Sequence, residues 1–179
     1  MNHLPRWAVK HIGLFVTDIE VMKEFYTDVM GFQVTDRGPV ADTELIFLGR
    51  DPSDHHQIVL IPGRPEGSYN VVNHIALKVE SMADLRRYHD HLVEKDVDGI
   101  DTVDHGTVWS VYFHDPEGNR LEFYIDTPYY VPQPKRGPLD FSQDDAAIDR
   151  ATRERFGDDP SFCTIEAWRQ RAFGSEAAE

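Results

Sequence analysis

The chain has 179 residues, 40% of them hydrophobic, and its 32 acidic side chains against 18 lysines and arginines give a formal net charge of −14. That length suits one domain with room for a tail, and the acidic balance excludes nucleic acid and anionic membranes as expected partners, since both call for a basic surface. One cysteine, Cys163, excludes an internal disulfide, and neither a membrane-length apolar run nor a signal-peptide pattern is present, so a cytoplasmic protein is expected.

Residues 9–16 alternate in a strand pattern that puts His11, Gly13 and Phe15 on one face. An amphipathic helix follows in "DIEVMKEFYTDVMGF", then about three strands, the last of them in "HHQIVLIPG". Residues 72–79 predict the next strand, with His74, Ala76 and Lys78 sharing a face, and "ESMADLRRYHDHLVEK" predicts the next helix. Two strands are then expected over 108–113 and 120–124. In the first, Val108, Ser110 and Tyr112 oppose Trp109, Val111 and Phe113; in the second, Arg120, Glu122 and Tyr124 share a face. Glycines, Gly38 and Gly118 among them, fall where turns are needed.

Beyond residue 127 the composition changes. Residues 128–142 combine four prolines with Tyr129, Tyr130 and Phe141, which predicts extended chain lying along an existing surface, a sheet edge or a second subunit. A helix is expected after Ser142 as N-cap and another after Ser161, before a disordered "GSEAAE" end.

The first two thirds repeat. "HIGLFVTDIEVMKEFYTDVMGF" (11–32) matches "HIALKVESMADLRRYHDHLVEK" (74–95), and "FLGRDPSDHHQIVLIPG" (47–63) matches "VYFHDPEGNRLEFYID" (111–126). His74 thus follows His11 by 63 residues, and the position 63 before Glu122 is Val59. The predicted fold class is α+β: two tandem βαβββ modules, about 7–64 and 71–127, followed by a Pro-rich, partly helical extension over 128–179.

Glu122 stands inside an apolar strand, where Glu is depleted and a buried carboxylate needs a partner or a cation. Repeat symmetry would bring the imidazoles of His11 and His74 to equivalent positions, with Glu122 as a third, asymmetric ligand. Two imidazoles and one carboxylate on one side of an octahedral ion suit non-haem Fe(II), with free positions for substrate and O₂; Mn(II) suits the same set.

The motifs "HIGLFV", "NHIALKV" and "VYFHDPEGNRLEFY" resemble the vicinal oxygen chelate superfamily, and within it the small type I extradiol ring-cleaving dioxygenases. The resemblance covers about residues 7–130. It implies a cupped mixed β-sheet around a metal site held by His11, His74 and Glu122. It further implies an acid–base histidine at His56, with His55 beside it, and a hydrogen-bonding Tyr112, ten residues before Glu122. His105, seven residues before Tyr112, matches a further histidine of the family at a closer spacing than in its larger members. The expected substrates are an aromatic diol and O₂, opened beside the diol, in a homo-oligomer. Two other readings share the fold: a lyase or isomerase of glyoxalase or epimerase type, and a metal-free protein that sequesters small molecules. Val59, where such lyases often carry a second carboxylate, argues against the former, and the presence of all three ligands argues against the latter.

Overall fold

The computed structural model describes residues 8–174; residue 7, where the first module is expected to begin, and the 175–179 end lie outside the described residues. By its contacts the chain forms two units. One runs to Val71 and takes in Asp115–Gly118; the other holds Val72–His114 and the chain from Asn119.

The first unit contains β1 (Ile12–Val16), α1 (Ile19–Glu24), β2 (Gln33–Val40), β3 (Thr43–Gly49) and β4 (Ile58–Pro62). Its sheet has the order β1-β4-β3-β2, with β1 parallel to β4 and the other pairs antiparallel. The second unit repeats the pattern with β5 (Ile75–Lys78), α2 (Met82–Glu94), β6 (Asp101–Asp104), β7 (Val108–His114) and β8 (Arg120–Asp126). There β5 lies parallel beside β8, and β8, β7 and β6 follow antiparallel. The repeat holds to the single residue: Gly13 faces Val59 in the first unit, and Ala76 faces Glu122 in the second.

Local chemistry accounts for these elements. In β1 the inward Leu14 and Val16 are buried, whereas the intervening Phe15 is 62% exposed. The Asp18 carboxylate caps α1 by accepting from the N–H groups of Glu20 and Val21. The helix continues as a π-helical turn over Phe25–Val29, which seats Phe25 and Tyr26 in the core. Ser81 caps α2, and Met82, Leu85 and Leu92 are the buried residues of this helix, which packs on β7 and β8. Burying such a side chain stabilises by roughly 1.5–3 kcal/mol. Gly38 does not mark a turn: it lies within β2 opposite Leu45, and the reversal falls beyond Val40, where Ala41 takes a φ of 52°. Gly118, with a φ of +75°, is a turn glycine as expected.

The Asp-Pro-Glu-Gly turn, which follows β7 in sequence, belongs by contact to the first unit. The buried Tyr26 hydroxyl donates to Asp115 over 3.2 Å. The Glu117 carboxylate accepts from the backbone N–H groups of Thr17 (2.6 Å) and Asp18 (2.9 Å), and lies 3.3 Å from the Arg64 guanidinium.

In the second unit the segment after Asp126 forms β9 (Tyr129–Tyr130), β10 (Gly137–Pro138), α3 (Asp145–Phe156), β11 (Cys163–Thr164) and α4 (Ile165–Phe173). β10 pairs antiparallel with the edge of β6, and the Thr102 hydroxyl donates to the Leu139 carbonyl over 2.7 Å. Beneath α3, Trp109 Nε1 donates to Thr152 Oγ1 (2.9 Å), which donates to the buried Asp104 carboxylate (2.9 Å), itself paired with Arg155. Tyr129 stacks on Phe162 and Tyr130 on Trp168, with centroids 5.0 and 4.9 Å apart. The caps differ from expectation. Asp144 caps α3 and Thr164 caps α4, because the backbone N–H groups of Ser142 and Ser161 are held in tight turns by Asp140 and Asp159.

Candidate metal centre

The second unit gathers four of the expected residues. Glu122, in the middle of β8, is 5% exposed and stands directly across from Tyr112 of β7. His74, immediately before β5, brings Nε2 to 3.2 Å from Glu122 Oε2. Its other nitrogen, Nδ1, lies 2.8 Å from the side-chain oxygen of Asn73. That oxygen can only accept, so Nδ1 carries a proton and Nε2 is the nitrogen left facing the carboxylate. Two lone pairs facing each other at this distance repel unless a proton or a cation joins them. An imidazole nitrogen and a carboxylate oxygen, one oriented by a neighbouring amide, is the donor chemistry of a divalent transition metal. The residues present therefore fit such an ion.

Around this pair, Tyr112 sets its ring edge-on to His74 with centroids 5.8 Å apart. Burial, and then the Glu122 carboxylate, push its hydroxyl up to about 12, so it stays protonated and able to donate. Its hydroxyl lies 3.1 Å from Nε2 of His105. The Arg120 guanidinium sits 3.8 Å from the Tyr112 ring centroid, a cation–π contact on the same face.

The first unit holds the other two. His11 directly precedes β1, and the N–H of Ile12 donates to the Gln57 carbonyl over 3.0 Å. The His56 ring lies against His11, with centroids 4.7 Å apart, and edge-on to Phe47 at 5.1 Å. Burial, and then the imidazoles of His11 and His55, hold His56 below the ordinary histidine range, which keeps it neutral and basic near pH 7. His55 packs on His56 and brings its own Nε2 to 3.9 Å from Asp36, with its side chain 58% exposed. Of the two adjacent histidines, His56 is the one that lies against His11.

Among the described residues, no three His, Cys, Asp or Glu side chains meet closely enough to hold an ion by themselves. His74 and Glu122 are brought together; His11 belongs to the other unit. Asn73 and Arg120 are the contributors that sequence reasoning missed. Asn73 adjoins a candidate ligand in "NHIALKV", which is the signal that was available; Arg120 shares a strand face with Glu122.

The chain belongs to the Glyoxalase/Bleomycin resistance protein/Dioxygenase superfamily, whose family model matches residues 8–123. It is similar to biphenyl-2,3-diol 1,2-dioxygenase 3 of Rhodococcus globerulus, 31% identical over 132 residues that cover 70% of this chain and 66% of the relative, just under two thirds of its length. Biphenyl-2,3-diol 1,2-dioxygenase 2 of the same organism is 27% identical over a span covering 94% of this chain and 91% of the relative. Among solved structures, a glyoxylase/bleomycin resistance protein/dioxygenase domain from Frankia sp. EAN1pec superposes with a TM-score of 0.59 at 21% identity, covering 69% of this chain and all of that one. That likeness shows the fold.

Proposed function

We propose that the protein is an Fe(II)-dependent extradiol dioxygenase that cleaves an aromatic ring beside a catechol-type diol, with His11, His74 and Glu122 as the metal ligands. The observation that carries the reading is the buried Glu122 carboxylate facing Nε2 of an Asn73-oriented His74, with Tyr112 alongside. The relatives named as biphenyl-2,3-diol dioxygenases support the reaction class. Repeat equivalence supports His11 as the third ligand, since it precedes β1 as His74 precedes β5. Val59, the counterpart of Glu122, is apolar and 7% exposed, which favours three protein ligands over four.

When bound, the iron would lower the diol pKa and bring substrate and O₂ together in one coordination sphere. The remaining steps fall to side chains. His56, neutral near pH 7, takes a proton from a substrate hydroxyl and returns it when the oxygen–oxygen bond breaks. Tyr112, protonated throughout, has a single proton to donate: it faces the His105 Nε2 acceptor in the free site and turns to an oxygen developing negative charge when substrate enters. Arg120, on the Tyr112 ring, adds positive charge to the face that would receive the anionic diol.

The test is aerobic turnover of catechols by protein loaded anaerobically with Fe(II), followed by the yellow ring-opened product. Colour formation with one oxygen molecule consumed per diol is the expected result. Iron bound without oxygen uptake on any catechol would overturn the reading.

A further inference from the structure

The extension after Asp126 reaches back to His105 through a set of contacts that the ring-cleaving chemistry does not require. His105 Nδ1 lies 2.6 Å from the backbone carbonyl of Lys135. Gln133 ties both partners: its amide nitrogen donates to the His105 carbonyl over 2.8 Å, and its side-chain oxygen accepts from the Lys135 N–H over 3.0 Å. Behind them, Lys135 Nζ pairs with Asp159 at 3.0 Å. Next to His105, a Cβ added to Gly106 would meet the buried Val131 side chain at 2.6 Å, so the extension presses directly on this loop. The far side of the loop is fixed as well, since the Thr127 hydroxyl donates to the Gly106 carbonyl over 2.6 Å.

A carbonyl oxygen only accepts, so the nitrogen facing it must carry the proton. The Lys135 carbonyl therefore puts the neutral His105 proton on Nδ1 and leaves Nε2 as an acceptor, 3.1 Å from the Tyr112 hydroxyl. Tyr112 in turn stands across from Glu122.

We infer that the C-terminal extension is a positioning device: through Gln133 and the Lys135 carbonyl it locks His105 in the Nδ1–H tautomer, and His105 thereby sets where the Tyr112 hydroxyl points. Gln133 and Lys135 are positioning residues that touch no reacting atom. The consequence for turnover rests on the proposed dioxygenase reading, whereas the tautomer lock stands without it.

Long-range ¹⁵N–¹H NMR on the full chain reads the tautomer directly. In the wild type His105 is expected to be Nδ1-protonated. Gln133→Ala, and Gln133→Glu, which keeps the acceptor for Lys135 but loses the donor to His105, should shift His105 toward a mixture of tautomers. Arg136→Ala, which removes only the exposed pair with Asp101, should leave it unchanged. On the iron-loaded protein, both Gln133 variants should lower kcat by about tenfold or more with iron content intact, the scale of a lost supporting contact. An Nε2-protonated His105 in the wild type, or Gln133 variants that keep the Nδ1–H tautomer, would overturn the inference. Absence of ring cleavage in the wild type with the predicted tautomer would instead count against the dioxygenase reading alone.

Discussion

In the proposed metal site, Asn73 would matter without being a ligand. Its side-chain oxygen engages Nδ1 of His74 and leaves Nε2 turned toward the Glu122 carboxylate, the arrangement a shared ion would use. Partners of this kind typically contribute 10–100-fold in metal affinity. Asn73→Ala is thus expected to weaken iron binding by roughly 10–100-fold while leaving the fold intact, as measured by competition with a chelator of known affinity. His56 is expected to behave in the opposite way. His56→Ala should keep its iron and lose about 10²–10⁴ in turnover, the usual contribution of a general acid–base group; full activity in that variant would make His56 a turn residue only. The candidate ligands were legible because chemistry repeats with the sequence: His11 and His74 recur at one spacing, and Glu122 breaks its strand's pattern. Asn73 and Arg120 carry no such mark, since an amide or a guanidinium near a strand is ordinary until its neighbours are known.

At the level of elements, the βαβββ order and the register followed from the repeat, because a strand's period of two fixes which side chains face the core. Leu14 and Val16 go inward and Phe15 outward, as the alternation required. The caps of α3 and α4 did not follow. Several Ser, Thr and Asp residues precede each helix, and the choice between cap and turn depends on tertiary context. Nor did the sequence mark the buried polar set of Trp109, Thr152, Asp104 and Arg155, because its members are distant in the chain. Thr152→Val would preserve shape but strip Trp109 Nε1 of its acceptor and Asp104 of a donor. A loss of about 1–3 kcal/mol is expected in denaturant unfolding, the cost of leaving buried polar groups unpaired. A change within ±0.5 kcal/mol, typical of a surface substitution, would mean that the network is not closed in solution.

Over the whole chain, the two copies of one unit supply different parts of the proposed chemistry. The first holds a histidine pair, His11 with His56; the second holds the carboxylate, a histidine and the tyrosine. The extension completes the second unit by covering the edge of β6 and packing Ile148 and Phe156 into its core. Truncation after Asp126 would expose that edge together with Trp109 and Val103, and an uncovered edge strand invites aggregation. The shortened protein is expected to lose solubility, by sedimentation, and ring-cleaving activity together; a soluble and active fragment would make the extension dispensable. In the proposed centre, His11, His74 and Glu122 hold one iron between them. The most direct measurement is iron per chain after anaerobic Fe(II) loading and desalting, in the wild type and in His11→Ala, His74→Ala and Glu122→Ala. About one iron is expected in the wild type and a marked loss in each variant, because each removes one of the three proposed ligands. A His11→Ala protein that retains wild-type iron would contradict the proposed centre.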